Sequence, residues 1–134
     1  MRAPSVAVIV MSALVLVACG TNAKKNARGP AERVADTVSA LQQDLVTRNW
    51  ADICAQVYSS KARAQAGGDS CPAYVRRGAA GLRSPHIRVR KVDVGRGRAS
   101  AHVITTAAGQ AEVPETIELV LEGGKYRVAA LGGR

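Results

Sequence analysis

The stretch HIRVRKVDVG, residues 86–95, marks the point at which the spacing of apolar residues along the chain changes. Apolar and charged residues alternate within it, which is the pattern of a β-strand with one buried face. The two apolar residues before Arg90 are out of phase with the two after Lys91. A bulge near Arg90 and Lys91 would bring all four to one face, so we predict a first strand that bends there.

The alternation continues through three more segments, each reached by a short turn. The sequences GRGR, residues 95–98, and AAGQ, residues 107–110, and the pair at 123–124 are typical of turns. The alternating segments cover residues 99–106, 113–122 and 126–130. Strands joined by short connections pair antiparallel, so the sequence predicts a four-stranded antiparallel meander.

Helical spacing dominates the chain before residue 86. Apolar residues recur three and four positions apart in residues 31–47 and again in RNWADICAQVY, residues 48–58. The stretch SSKARAQAGGDS, residues 59–70, is predicted as a break that contains one possible helical turn. Ser70 then precedes a third segment of helical spacing, which has Pro72 in its first turn and runs towards Leu82. Three helices followed by an antiparallel sheet predict the α+β class.

This order of elements resembles the nuclear transport factor 2-like (polyketide-cyclase-like) superfamily. The matching pieces are RNWADICAQVYSSKARA, SCPAYV and GGKYRVAAL, with Tyr126 where the family often has tryptophan. The resemblance implies three helices packed on a strongly curved sheet, which together form a cone. It also implies that a homodimer is an option, because dimers are common in this superfamily.

The N-terminus has the three parts of a secretory signal: Arg2, an apolar run and small residues. The run covers 13 residues, 6–18, fewer than the about 20 that a membrane-spanning helix needs. A cleaved signal is therefore favoured over the alternative of a short uncleaved anchor. The motif that follows, Leu16-Val17-Ala18-Cys19, resembles the lipobox of bacterial lipoproteins.

In that family a diacylglycerol is attached to the cysteine thiol, and a dedicated peptidase cleaves just before it. The resemblance implies a signal peptide over residues 1–18, cleavage between Ala18 and Cys19, and a lipidated Cys19. Residues 19–30 then consist of the lipidated Cys19 and a polar, flexible tether. The tether leads to a domain over residues 31–134. A small exported lipoprotein of actinobacteria, held on the extracytoplasmic face of the cell membrane, is the expected setting.

Cys54 and Cys71 remain once Cys19 is assigned to lipid. An even pair in an exported protein favours a disulfide, because the compartment is oxidising. The bridge closes a loop of 71 − 54 + 1 = 18 residues, which the chain-entropy model equates to about 3 kcal/mol of stability. Zinc needs about four ligands, and the two histidines have no ligand spacing, so we expect no metal site and no cofactor.

His102 is the one candidate general base within a strand, and the alternation leaves undecided which sheet face it occupies. No second acid or base can be assigned beside it, and His86 falls in a loop. We therefore favour a non-catalytic domain that binds a small molecule or a cell-envelope partner through its cone. The alternative is a small isomerase, dehydratase or cyclase-like enzyme that uses His102, with Tyr126 orienting the substrate.

The chain is strongly basic, with 19 Lys+Arg against 10 Asp+Glu and a net charge of +9. Its densest basic stretch, residues 83–98, suits an anionic lipid or a wall polymer. Arginine-rich coding bias and an ordinary solvated face are the alternatives. Aromatic residues make up 3% of the chain and phenylalanine is absent, which argues against nucleic-acid binding because single-strand binders stack bases on aromatic rings.

Overall fold

The change of spacing at residue 86 coincides with the boundary between helices and strands in the computed structural model, which describes residues 28–131. The expected signal peptide, its cleavage after Ala18 and the lipidated Cys19 lie outside the described residues, as does most of the tether. Within the described range, no helix combines the length and the apolar character needed to cross a bilayer.

Four helical segments form the N-terminal part. Helix α1 spans Pro30–Thr47, begins with proline in its first turn and buries Val34 and Val38. The others are α2 (Trp50–Asp52), which continues as a π-helix over Ile53–Val57, α3 (Ser60–Gln65) and α4 (Cys71–Gly78), with a 3-10 turn at Gly68–Ser70 before α4.

The observed four segments differ from the three helices that the sequence predicted. The backbone of Tyr58 is extended, which ends the π-helix. Ser59 then starts a new helix, because its Oγ accepts a hydrogen bond from the backbone N–H of Ala62 at 3.1 Å. Ser70 stands at the N-cap position of α4 but makes no capping bond through its side chain.

The four strands form one antiparallel sheet in the order β1-β2-β3-β4, as predicted. They are β1 (His86–Val94), β2 (Arg98–Thr106), β3 (Val113–Glu122) and β4 (Lys125–Val128). The predicted bulge is confirmed, because Val89 pairs with Val103 while Lys91 pairs with His102, which leaves Arg90 as an extra residue.

The sheet packs its inner face, which carries Ala99, Ala101 and Val103, against helix α1. Val34 and Val38 of α1 complete this core together with Leu119 and Tyr126. The outer face, which carries the alternate residues of each strand, is opposite the helix. The α+β class is thereby established, with helices on one face of a single sheet.

A second buried cluster surrounds the bridge between Cys54 and Cys71, which are joined as a disulfide. Ser59 connects this helical cluster to the sheet: its backbone N–H donates to Val128 O at 2.9 Å, and its Oγ donates to Ala129 O at 2.9 Å. The disulfide expected from the cysteine count therefore lies in the helical half, away from the sheet core.

Candidate ligand-binding cavity

A cavity of about 530 Å³ lies between the inner face of the sheet and the helices. Apolar side chains make up most of its wall, among them Leu41, Leu45, Leu82, Ile87, Ile117 and Leu131. The volume falls in the range of small-molecule sites, which are usually concave, largely apolar and between about 300 and 1,000 Å³. We refer to it as the main cavity.

Helix α1 supplies one wall of the main cavity through Leu41 and Leu45, which follow the buried Val34 and Val38 on the same helical stripe. The opposite wall comes from the ends of β1, β2 and β3, where Ile87 and Ile117 take inner-face positions. The backbone N–H of Ile87 donates to Gln42 Oε1 at 2.7 Å, so this wall leaves no unpaired donor there.

The histidine and the carboxylates of the main cavity lie towards its edge. His86, Glu115 and Glu118 line it but are exposed to solvent. Thr105, also in the lining, donates through Oγ1 to the carbonyl of Val113 at 3.3 Å. This arrangement suits a ligand that places an apolar group in the interior of the main cavity and makes polar contacts at its rim. His86, which the sequence analysis assigned to a loop, is the first residue of β1.

Tyr58 is the half-buried tyrosine of the main cavity, at the point where the π-helix ends. Burial raises the pKa of its hydroxyl above the ordinary value of 10.0, and the neighbouring Tyr74 raises it further. The hydroxyl therefore stays protonated at neutral pH and is available as a hydrogen-bond donor to a ligand.

His102 lies on the outer face of the sheet and does not line the main cavity. Its Nε2 is 2.9 Å from Asp93 Oδ2, and its Nδ1 is 3.2 Å from Thr116 Oγ1. An ionised carboxylate only accepts hydrogen bonds, so the Nε2 of His102 carries a proton and donates to Asp93. No acid could be assigned to His102 from the sequence, whereas the pairing of β1 with β2 brings Asp93 beside it.

Asp93 also pairs with Lys91, whose Nζ lies 2.8 Å from Asp93 Oδ1. The hydrogen bond from Lys91, and then the one from His102, lower the pKa of Asp93 below its ordinary value. This side-chain group is about half exposed, and an open groove beside His102 is lined by Arg90 and Thr116. It is a polar surface cluster outside the main cavity.

Tyr126 is 5% exposed and belongs to the core between α1 and the sheet. The Arg33 guanidinium lies over its ring, 5.2 Å from the centroid, a cation–π contact. The role of orienting a substrate, which the alternative hypothesis gave to Tyr126, therefore does not fit its position in the structure.

A second, smaller groove of about 270 Å³ adjoins the main cavity and is lined by Arg48, Trp50 and Arg76. Leu45, Leu82 and Pro85 line both spaces. We refer to the smaller space as the basic groove. Arg48 caps the C-terminus of α1 with left-handed backbone angles (φ 58°), and Arg76 lies in the last turn of α4. Their spacing in the sequence gave no indication that both would line one groove.

The basic stretch at residues 83–98 is partly neutralised within the sheet. Arg88 lies 3.9 Å from Glu112, and Lys91 contacts Asp93. The basic stretch is thus a mixed-charge surface rather than a uniformly cationic one.

Among residues 28–131, no group of three or more histidines, cysteines or acidic residues is placed to hold a metal ion.

Neither a protein-family model nor a curated protein matches the chain. Function is therefore inferred from the cavity and from the sequence motifs.

Proposed function

We propose that the chain is a lipid-anchored, extracytoplasmic binding protein whose main cavity takes a small apolar or amphiphilic molecule. The observation that carries this proposal is the main cavity itself, about 530 Å³ with a mostly apolar wall. The anchor is proposed from the lipobox-like motif that ends at Cys19. The basic composition supports a place beside an anionic envelope surface.

We also propose the cone of the nuclear transport factor 2-like superfamily as the finer description of the fold. Support comes from the order of helices before a four-stranded antiparallel sheet and from the bulge in β1. A bulge bends a strand and increases its twist, and residues at the end of the sheet where β1 begins line the main cavity.

A binding role fits the distribution of reactive groups better than a catalytic one. His102 is on the face opposite the main cavity, and Tyr126 is in the core. An isomerase or dehydratase-like reaction in the cavity would need a general base in contact with the substrate. His86, Glu115 and Glu118, all exposed at the rim, are the groups that such a reaction would have to use.

The cavity is tested with full-length protein extracted from an actinobacterial host in a neutral detergent and measured by native mass spectrometry. Dodecanol is the added probe, and any co-purifying molecule is recorded. Ile117→Trp should occupy part of the cavity and lower dodecanol binding by about tenfold, which corresponds to about 1.4 kcal/mol.

Val120→Trp is the matched control, because it lies on the same strand with its side chain on the outer face. Dodecanol binding that is absent from the wild type, or equal in both variants, would contradict a ligand-binding main cavity. Rapid turnover of a co-purified molecule, lost on substitution of His86 or Glu115, would favour the enzymatic alternative.

The anchor is tested separately by growing the host with an alkyne-tagged fatty acid. We expect label on the wild-type protein and none on Cys19→Ser. The double variant Cys54→Ser/Cys71→Ser controls for the other thiols and should keep the label. Labelling that survives in Cys19→Ser would contradict the proposed lipidation.

A further inference from the structure

The main cavity and the basic groove are adjoining parts of one recess. They share Leu45, Leu82 and Pro85, so these three residues form the boundary between a largely apolar cavity and a groove that two arginines line. Trp50 lies in the basic groove beside the shared wall. An indole has an apolar body and one polar N–H, which suits a position between apolar and charged surroundings.

The basic groove carries two arginines and, among the described residues that line it, no acidic side chain. Within residues 28–131, neither Arg48 nor Arg76 has a carboxylate within 4.0 Å. Asp44 and Asp52, which stand four residues to either side of Arg48, form no ion pair with it, and Asp52 accepts a hydrogen bond from Asn49 Nδ2 at 2.6 Å. The two guanidinium groups are therefore available to an external anion.

Each part of this recess prefers a different chemical group. The main cavity removes apolar surface from water, which stabilises a bound hydrocarbon chain in proportion to the number of methylene groups that it buries. An arginine side chain has a planar fork of donors that matches the oxygens of a phosphate or a carboxylate. One molecule that satisfies both parts has an apolar chain attached to an anionic head.

We propose that the ligand is an anionic amphiphile, with its chain in the main cavity and its phosphate or carboxylate head in the basic groove at Arg48 and Arg76. This inference rests on the proposed binding function and adds the chemical class of the ligand. Arg48, at the end of α1, and Arg76, in the last turn of α4, are the residues that select the head group.

The test compares dodecyl phosphate with dodecanol, which has the same chain and no charge. Both are added to full-length protein in a neutral detergent, and occupancy is measured by native mass spectrometry. We expect wild-type protein to bind dodecyl phosphate about tenfold more tightly, because charge-assisted hydrogen bonds to arginine are among the stronger ones. Arg48→Gln/Arg76→Gln should remove this preference and leave dodecanol binding unchanged.

Lys61→Gln/Arg96→Gln is the matched control, because it removes two exposed positive charges outside both spaces. It should keep the tenfold preference for dodecyl phosphate. Equal binding of the two probes by the wild type would overturn the anionic head and leave the cavity function standing. Binding of neither probe would overturn the cavity function itself.

Inorganic phosphate separates an amphiphile site from a simple anion site. At equal concentration it should displace little dodecyl phosphate, because it lacks the chain. Complete displacement by inorganic phosphate would overturn the amphiphile proposal, since the head alone would then account for binding. Affinity for dodecyl phosphate that Ile117→Trp leaves unchanged would do the same, because the chain in the main cavity would then contribute nothing.

Discussion

Ser59 is a fully buried side chain that holds two backbone groups at once. Its Oγ donates to Ala129 O and accepts from the N–H of Ala62, so it connects the sheet to the start of α3. We expect Ser59→Ala to lower the free energy of unfolding by about 1–3 kcal/mol, because both partners would remain buried and unpaired. Urea denaturation followed by circular dichroism measures the change.

Ser70→Ala is the matched control for this prediction. Ser70 also stands at a helix N-cap, but its side chain makes no capping bond, so its replacement should have little effect. Equal losses of stability in the two variants would contradict the assignment of the effect to the hydrogen bonds of Ser59.

The carboxylate of Asp93 gives a second residue-scale prediction, which concerns pH. Its pKa in the folded protein is lowered by Lys91 and His102, so the ionised carboxylate stabilises the fold. This contribution is present above the ordinary pKa of 3.8 and is lost as pH falls through the lowered folded value. Asp93→Asn should therefore melt below the wild type at pH 6.

The difference in melting temperature between wild type and Asp93→Asn should shrink at pH values below 3.8. It should be small throughout, because the cluster lies at the surface. Asp69→Asn is the control, since Asp69 is fully exposed and its Arg63 contact is 3.5 Å long. A difference that stays constant down to pH 2 would contradict the proposed ion pairing.

The disulfide acts at the scale of the helices, where it joins the π-helix that follows α2 to the start of α4. We expect Cys54→Ser/Cys71→Ser to lower the free energy of unfolding by about 3 kcal/mol, mainly because the unfolded chain gains freedom. Denaturation of oxidised and reduced wild-type protein should give the same difference. A double variant as stable as the oxidised wild type would contradict this.

The strands could be predicted from the sequence because one face of the sheet is buried. That burial imposes a period of two, and the change of phase around Arg90 is enough to locate the bulge from the residue pattern alone. The number of helices could not be predicted in the same way. The division between α2 and α3 depends on contacts of Tyr58 and Ser59 with β4 and the residue after it, about 70 residues away in the chain.

The candidate site was less predictable than the elements that build it. Arg48 and Arg76 line the same groove because α4 packs against α2, which begins two residues after Arg48, and no local spacing reports that packing. The alternation in β2 placed His102 opposite Ala101 and Val103, but it could not say which of the two faces the helices cover. The burial of Ala101 and Val103 answers that question.

At the scale of the whole molecule, the proposed anchor limits where the recess can act. Eight residues, 20–27, separate Cys19 from Arg28. A fully extended chain of that length spans at most about 30 Å. The proposed binding protein therefore takes and releases its ligand close to the membrane surface. Moving the ligand farther from the membrane would need a second protein that receives it there.

The bulge has a consequence for how this fold tolerates insertions and deletions. Without Arg90, strand β1 would read as an uninterrupted alternation in which Ile87, Val89, Val92 and Val94 all fall in one phase. Arg90 is thus equivalent to a one-residue insertion that leaves the pairing on both sides unchanged. We expect a protein that lacks Arg90 to fold with its four strands in register.

Deletion of Ser100 from β2 should behave differently, because it would place Ala99 out of phase with Ala101 and Val103. Circular dichroism and melting curves distinguish the two deletions, and unfolding of the Arg90 deletion would contradict the prediction. A straighter β1 would also reposition Ile87 at the main cavity. The length of one strand, changed by a single codon, would then alter which ligands fit while the fold persists.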